Sequence, residues 1–293
     1  MDICGMPFRP LIGNDSNPGK VSTTPGGVGR NIAQNLSQLG VDVKMLTVLG
    51  DDAYAEQIER SCAASGIDLS YALRMKDTPS SVYLYITDEK SDMALGISDM
   101  AICSYLTPEY LRAHKQLLDN AAVIVADTNL SAETLQWIAR ECVPPLIVDP
   151  VSASKAVRLI GSLDGIDTLK PNQVEAEMLT GIKIENADDA AKAAGELVSA
   201  GIKRVFLTLG SGGAVCAEEN ELFRLPCYPA EIVSTTGCGD AFTAAAAKAR
   251  IDGKTLMESC RMGLAAGALT AGSSQTVSPE MSIENLTKII QGE

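Results

Sequence analysis

The length, composition and charge of the chain exclude several classes of protein. Its 293 residues are 46% apolar and 21% charged, a balance typical of a folded protein with one large or two modest domains. With 24 basic and 37 acidic residues the net charge is −13, so the chain repels phosphate backbones and we expect no nucleic-acid partner. No apolar run is long enough to span a membrane and no secretion signal is visible, so we expect a cytoplasmic protein without a membrane partner.

Cysteine and histidine usage restricts the chemistry further. The eight cysteines are spread along the chain and none forms a C-x-x-C pair, which disfavours zinc ribbons and disulfide frameworks. His114 is the single histidine and lies in a predicted helix, TPEYLRAHKQLL. A histidine triad or a histidine zinc site is therefore excluded, and a carboxylate, a thiol or a metal must supply any catalysis.

Buried strands and helices alternate along the chain. Apolar runs that end in Gly, Asp or Pro predict buried strands at 43–50, 121–127, 145–150 and 204–210. Helical periodicity predicts helices at 28–39, 53–65, 107–119, 131–141, 187–200, 240–251 and 255–271. This alternation predicts an α/β fold with a mainly parallel central sheet and helices on both of its faces.

Two segments break the alternation. Residues 16–24 and 80–97 have the period-2 patterning of strands, and the second contains a polar turn, DEKSD, as an antiparallel hairpin does. A small β-element that projects from an α/β body can act as a lid over a site. A sheet edge without function is the alternative, and the sequence does not decide between them.

The first glycine motif is PGGVGRNIAQNLSQLG, at 25–40. Its glycines allow a ligand to approach the backbone closely, and Asn31 offers both hydrogen-bond donors and acceptors to hydroxyl groups. A dinucleotide fingerprint that starts at Gly27 needs glycine where the sequence has Ile32, so the motif gives little support for NAD.

The second motif is STTGCGDAF, at 234–242, where Gly237 and Gly239 flank Cys238 and Asp240 begins an alanine-rich helix. Amide groups at a helix N-terminus form an anion site that suits a phosphoryl group, and a carboxylate beside it can accept a hydroxyl proton. The alternative interpretation is that Asp240 only complements the helix dipole. The two glycines around Cys238, just before Asp240, make this alternative the weaker one.

Two further motifs each have a functional and a structural interpretation. In TLKPNQVEAEML (168–179), Asn172 and Glu175 lie one helical turn apart and can orient a hydrated Mg²⁺, or form a capping box. In TLGSGGAV (208–215), a strand enters a glycine loop that can follow a nucleotide's phosphates, or form a hairpin turn.

The order of these motifs along the chain resembles the ribokinase-like (PfkB) family of sugar and nucleoside kinases. The resemblance extends from Asp2 to the last helix, and the stretches SNPGK, PGGVGRNIAQNL, VIVAD, VDPVSA and TLKPN are similar to members that phosphorylate pseudouridine. It implies a three-layer ribokinase-like fold in one domain, 1–293, with a lid from about 6–24 and 79–98. It also implies ATP and Mg²⁺ as cofactors and a homodimer formed through the lid.

The resemblance also implies roles for individual residues. Asp240 is expected to be the base that activates the 5′-hydroxyl of the nucleoside. The remaining roles are γ-phosphate binding by the amides of Gly237, Cys238 and Gly239, Mg²⁺ and phosphate binding by Asn172 and Glu175, nucleotide binding by Thr208, Gly210, Gly212 and the 263–275 region, and ribose binding by Asp2, Gly27 and Asn31.

Base recognition requires an acceptor for the additional ring N–H of pseudouridine, since a polar group left unpaired in a site costs affinity. Asp99, in the SDM stretch at 98–100, is our candidate, and a turn aspartate is the alternative interpretation. Another ribokinase-like sugar or nucleoside kinase and a non-catalytic nucleoside-binding relative are the alternative functions.

Two departures from the family pattern have consequences. Ser234 stands where family members that use a monovalent cation have an aspartate, which puts potassium activation in doubt. The family also begins with a strand that ends in a G-x-N-x-D motif, and only its last residue, Asp2, is present here. We therefore expect the central sheet to lack that strand.

Overall fold

The computed structural model of the chain describes residues 1–88 and 93–292. Its strands are β1 (Asp2–Pro7), β2 (Gly19–Thr24), β3 (Val43–Lys44), β4 (Val48–Leu49), β5 (Ile67–Asp68), β6 (Leu73–Arg74), β7 (Val82–Thr87), β8 (Met93–Asp99), β9 (Ile124–Asp127), β10 (Leu146–Asp149), β11 (Thr168–Leu169), β12 (Arg204–Thr208), β13 (Ala214–Glu218) and β14 (Glu221–Leu225).

Helices of five or more residues precede, separate or follow most of these strands. They are α1 (Val28–Gln38), α2 (Ala53–Ala64), α3 (Pro108–Ala113), α4 (Lys115–Asp119), α5 (Ala132–Glu141), α7 (Gln173–Thr180), α8 (Ala187–Ser199), α9 (Cys238–Ile251), α10 (Leu256–Ala271) and α11 (Ile283–Gln291), with the single turn α6 (Ala153–Ala156) between α5 and α7. In the described ranges, none of them combines the length and the apolar character needed to cross a bilayer.

The larger sheet has six strands in the order β14-β13-β12-β11-β10-β9. Strands β9 to β12 are parallel, and β13 and β14 are antiparallel additions. Neighbouring residues of β10 show how the layers form, because Ile147 packs with α1 and α9 whereas Val148 packs with α5 and α8. The predicted three-layer α/β architecture is confirmed.

The second sheet has four strands in the order β2-β1-β7-β8. Strands β1 and β7 are parallel in its centre, and β2 and β8 pair antiparallel with them at the edges. The hairpin predicted at 80–97 therefore forms. Residues 89–92 of its DEKSD turn lie outside the described residues. Every residue of β8 is exposed, so this sheet presents an open edge.

Two predicted elements are interrupted. The strand predicted at 43–50 divides into β3 and β4, which pair with β5 and β6 in two separate small sheets. The helix predicted at 107–119 breaks into α3 and α4 at His114. The His114 ring binds the carbonyl of Tyr110 at 2.8 Å, while the His114 amide donates to Leu111 instead. The side chain thus takes the carbonyl that a continuous helix needs for its own amide.

One aspartate joins the second sheet to the body of the protein. Asp52 caps α2 by accepting a hydrogen bond from the amide of Ala55 at 2.8 Å. It also accepts bonds from the amide and the hydroxyl of Ser80, both at 2.7 Å, just before β7 begins. The hydroxyl of Ser80 in turn accepts a bond from the amide of Gly50 at 3.0 Å.

Candidate active site

The site is built around the glycine-led start of α9. Gly237 has a φ of +85°, and any side chain there would overlap the backbone carbonyl of Thr276, so only glycine fits. Asp240 follows in the first turn of the helix. The N-terminal end of a helix carries a partial positive charge and favours anions, so this turn combines an anion-binding end with a carboxylate.

Asp240 has the properties of a proton acceptor at neutral pH. Its burial, together with the negative charge of Asp149, raises the pKa of this carboxyl to about 7. The amide nitrogen of Asn31 donates to Asp240 Oδ2 at 2.7 Å, which favours the ionised form. A base with a pKa near the working pH can accept a proton from a hydroxyl group and release it afterwards.

A buried ion pair lies under the same turn. Lys170 Nζ is 3.0 Å from Asp149 Oδ2, and both side chains are buried. Thr243 donates to the same Asp149 oxygen at 2.9 Å, and Lys170 Nζ lies 2.9 Å from the point where a Cβ on Gly239 would stand. Burial disfavours the charged amine, but the neighbouring carboxylates outweigh it and raise the pKa of Lys170. The positive charge of Lys170 is therefore held next to the glycine turn at the start of α9.

Two of the three residues predicted to hold ribose, Asp2 and Gly27, line a cavity of about 590 Å³ whose wall also includes apolar residues of α1, β3, β4 and β9. The Asp2 carboxyl packs against Gly26 so closely that a side chain at Gly26 would overlap it. Burial raises the pKa of Asp2. The third candidate, Asn31, is not part of the wall and directs its amide nitrogen toward Asp240. Of the ribose candidates, the structure thus brings Asn31 into contact with the predicted base.

Asp127, at the end of β9, also lines the cavity. It accepts hydrogen bonds from the amide of Gly29, at 3.1 Å, and from the amide of Asn129, at 2.8 Å. Burial raises the pKa of Asp127. Asn129 Oδ1 accepts a 2.6 Å bond from Lys155, so a polar group continues the cavity wall beyond Asp127.

Sequence reasoning missed several of these residues. Each lies at or just after the carboxyl end of a parallel strand, where polar residues of neighbouring strands meet at one sheet edge: Asp127 ends β9, Asp149 ends β10 and Lys170 follows β11. The strands before Asp127 and Asp149 were predicted from the sequence, so this position was the signal for those two, whereas no strand was predicted before Lys170. Arg30 was missed as well, and its position next to Asn31 was the only local signal.

Asn172 and Glu175 form the capping box that was the structural alternative. Asn172 Oδ1 accepts from the amide of Glu175 at 2.9 Å, and Glu175 Oε2 accepts from the amide of Asn172 at 2.8 Å. Burial raises the pKa of Glu175. The backbone of Asn172 also forms a β-bridge to Thr208, which brings this pair to the end of β12.

The side-chain oxygens of Asn172 and Glu175, at the start of α7, are of the kind that Mg²⁺ prefers as ligands. Within residues 1–88 and 93–292 no three acidic, cysteine or histidine side chains are grouped closely enough to enclose a metal ion directly. Mg²⁺ keeps several of its waters and needs only one or two carboxylates, so Glu175 with Asn172 fits a hydrated ion.

The glycine loop after β12 is a turn between the antiparallel strands β12 and β13. Gly210 has a φ of +56° and its carbonyl accepts a bond from the Cys227 thiol at 3.1 Å, while the Gly212 carbonyl accepts from Arg224 at 2.9 Å. The hairpin interpretation therefore describes its geometry, and nucleotide binding by this loop stays a prediction.

A second cavity, of about 460 Å³, lies where a nucleotide base was expected. It is lined by residues of α10 and of the segment after it, including Ala268, Ser273 and Gln275, within or next to the predicted 263–275 region. Thr276, which packs on Gly237, belongs to the same segment. This cavity is thus connected by the chain to the residue that packs on the glycine turn at the start of α9.

The surroundings of Asp99 and of the Cys238 side chain differ from those of the other predicted site residues. Asp99 is exposed at the end of β8, where its carboxylate accepts a long 3.4 Å bond from the amide of Ala101, and it is not among the residues that line the 590 Å³ cavity. Its role in base recognition stays a prediction. The Cys238 thiol has a pKa raised to about 11 by burial and by Asp240, so it is not a thiolate at neutral pH.

Comparisons with known proteins agree with this geometry. A family model described as "pfkB family carbohydrate kinase" matches residues 7–283. The pseudouridine kinase of Escherichia coli is 36% identical over 99% of this chain and 94% of its own. An uncharacterized sugar kinase of the same organism is 34% identical over 99% of this chain and 81% of its own. The structure of Arabidopsis thaliana ribokinase complexed with ribose and ATP superposes with a TM-score of 0.83, at 24% identity, and covers 99% of this chain and 95% of its own.

Proposed function

Because the chain belongs to the pfkB family of carbohydrate kinases, and so is a phosphotransferase with an alcohol acceptor, we propose that it converts pseudouridine to pseudouridine 5′-phosphate with ATP as the donor. The substrate rests on the likeness to a pseudouridine kinase along nearly the whole of both chains. The donor rests on the fold, which a ribokinase solved with ribose and ATP shares.

The observation that carries the proposal is the position of Asp240. It lies in the first turn of a glycine-led helix, has a pKa of about 7 and accepts a hydrogen bond from Asn31, whose chain neighbours Arg30 and Ile32 line the cavity together with Asp2 and Gly27. A hydroxyl held near Asn31 would meet the carboxylate and the anion-binding helix end together. This is the arrangement that transfer of a phosphoryl group to an alcohol requires.

In the proposed mechanism the protein positions groups and balances charge. Asp240 accepts the proton of the 5′-hydroxyl as that oxygen bonds to the γ-phosphorus, the bond from the γ-phosphorus to the bridging oxygen breaks, and ADP leaves with that oxygen. The amides of Gly237, Cys238 and Gly239 stabilise the charge on the transferred group, and Lys170 adds a fixed positive charge beneath them. Asn172 and Glu175 would hold Mg²⁺ through water molecules, and the bound ion would neutralise phosphate charge.

Asp2 and Gly27 are proposed to bind the ribose hydroxyls of the acceptor. The Asn31 amide is proposed to lie between the ribose and the carboxylate of Asp240. The strands of the second sheet, which include the predicted lid segments 6–24 and 79–98, are proposed to shield the site from water, and β1 of this sheet carries Asp2 into the cavity wall. Asp99 remains a proposed specificity residue at the rim of this lid.

A phosphorylation panel tests the proposal. Purified protein with ATP and Mg²⁺ is given pseudouridine, uridine, adenosine, ribose or fructose, and ADP release is measured. We expect turnover with pseudouridine and a loss on the order of 10²–10⁴-fold in Asp240→Asn, which removes the base but keeps the shape of the side chain. Equal turnover of wild type and variant would contradict the mechanism, and preference for another acceptor would assign a different kinase substrate. Nucleoside binding without turnover would indicate the non-catalytic relative.

We also propose a homodimer through the second sheet. Strands β2 and β8 are exposed along their whole length, and Val21, Met93, Leu95 and Ile97 project apolar side chains there. Exposed apolar side chains of this kind are typical of a protein interface. The molar mass of the protein in solution, measured by light scattering, tests this expectation.

A further inference from the structure

Arg30 is a buried cation in the first turn of α1, next to the active site. Its side chain is 6% exposed, and it donates from Nε to the carbonyl of Gly26 at 3.2 Å and from Nη1 to Gln34 Oε1 at 2.6 Å. Its Nη2 donates to Oδ1 of Asn31, which is 4% exposed. The guanidinium is therefore fixed by three separate partners, and one of them is the residue that holds Asp240.

The contact with Arg30 determines which way the Asn31 amide faces. A guanidinium has only donors, so it must face the Asn31 oxygen, and the Asn31 nitrogen must then point the other way. That nitrogen donates to Asp240 Oδ2 at 2.7 Å. An ionised carboxylate has only acceptors, so both ends of the amide are matched to their partners, and a rotated amide would meet a mismatch at each end.

We propose that Arg30 is a positioning residue for the kinase reaction, which through Asn31 holds one oxygen of Asp240 and leaves the other for the substrate hydroxyl. The kinetic consequence rests on the proposed function. Arg30 does not touch the reacting atoms in this arrangement, because Asn31 stands between it and the base. The alternative is that Arg30 only ties α1 to the Gly26 loop.

The charges around Asp240 define the expected effect. Asp149 from β10 and Asp127 from β9 oppose its ionisation, and Lys170 after β11 and the Asn31 amide on α1 favour it. Arg30, which interacts electrostatically with Cys62, Asp2 and Asp240, adds a second cation on the α1 side. Without Arg30 the amide can rotate and turn its oxygen toward the carboxylate, so the pKa of Asp240 rises.

The sign of the kinetic change follows from this. A base must be ionised to accept a proton, so activity is lost as the pH falls through its pKa. In the wild type that loss is centred near pH 7. In Arg30→Met we expect it to be centred about one pH unit higher, which gives about five-fold lower kcat/KM at pH 7 and little difference at about pH 9.

The experiment compares pH profiles of kcat/KM for wild type, R30M and R30K. We expect R30K to restore part of the wild-type profile, since an ammonium also has only donors and can face the Asn31 oxygen. Arg250→Met is the matched control, because it removes a guanidinium that binds Asp167 at 2.9 and 3.0 Å at the other end of α9. We expect R250M to lower stability but not to move the profile. A pH-independent loss in R30M, or the same shift in R250M, would overturn the proposal.

A second measurement does not depend on turnover. Carboxyl ¹³C NMR of aspartate-labelled protein, with the Asp240 signal assigned from D240N, gives its pKa directly in wild type and in R30M. A higher value in R30M supports the proposal even if the wild type phosphorylates nothing and the proposed function fails. An unchanged value refutes it. If R30M does not fold, R30Q and R30K are titrated instead, and a pKa that rises in R30Q but less in R30K gives the same support.

Discussion

The two glycine-led helices of the protein, α1 and α9, begin alike and are used differently. Both start at a glycine with positive φ, +100° at Gly27 and +85° at Gly237, and neither has a side-chain cap. At α1 the Gly29 amide is taken by Asp127 of the protein itself. At α9 the first-turn carboxylate, Asp240, bonds across to α1 rather than to its own helix start. A glycine motif therefore marks a helix start whose backbone N–H groups can be approached. The residues around that helix start decide what binds to them.

The largest expected difference between the two helix starts comes from replacing their glycines. Gly237→Ala forces a side chain both into positive φ and against the carbonyl of Thr276, whereas Gly27→Ala has the strained φ but nothing within 4 Å. We expect about 1–3 kcal/mol lower free energy of unfolding for G27A and about 1–3 kcal/mol more than that for G237A. Urea unfolding measures both values. Equal losses would mean that the Thr276 contact relaxes without cost.

A smaller effect is expected at the partner of the α1 start. Asp127→Asn keeps the shape of the side chain but removes the negative charge that accepts from the amide of Gly29. We expect a loss of about 1–2 kcal/mol in the free energy of unfolding, because Asn has a single acceptor oxygen and leaves the amide of either Gly29 or Asn129 facing an N–H donor. Urea unfolding of D127N and wild type at neutral pH checks this. A variant as stable as wild type would show that the start of α1 does not depend on the carboxylate of Asp127.

The smallest effect is expected at Cys238, between the two glycines of the α9 turn. Burial raises the pKa of its thiol to about 11, and its proposed part in binding phosphate belongs to the backbone amide. Cys238→Ala should therefore change kcat by less than about three-fold, and iodoacetamide should modify the exposed Cys227 first. Peptide mass spectrometry and the kinase assay measure the two outcomes. A large loss of activity would assign the side chain a direct role.

The predictable parts of the fold and site are those that local sequence determines. The glycines around Asp240 and the α/β alternation depend on neighbouring residues and on periodicity, and the fold was predicted from them. The division of 43–50 into β3 and β4 depends on which distant strands are available for pairing, which periodicity does not contain. The break at His114 depends on one rotamer that competes with the helix for a carbonyl.

The site was less predictable where long-range packing decides. Lys170 lies next to Gly239 because the fold brings the end of β11 to the start of α9, and nothing near either residue in the sequence predicts that contact. The same holds for the amide of Asn31, whose orientation is set by Arg30 beside it and Asp240 on another helix. Residue types could be assigned to a site from motifs, whereas hydrogen-bond directions required coordinates.

The carboxylate of Asp52 has a consequence for the way the site opens. It binds the amide and hydroxyl of Ser80 and the first turn of α2 at once, at the point where the chain enters β7. A swing of the second sheet away from the body at this point must break these bonds together. The rate at which the Ser80 amide exchanges its hydrogen with solvent deuterium therefore reports that movement. It can be read in the resting protein, before any substrate is added.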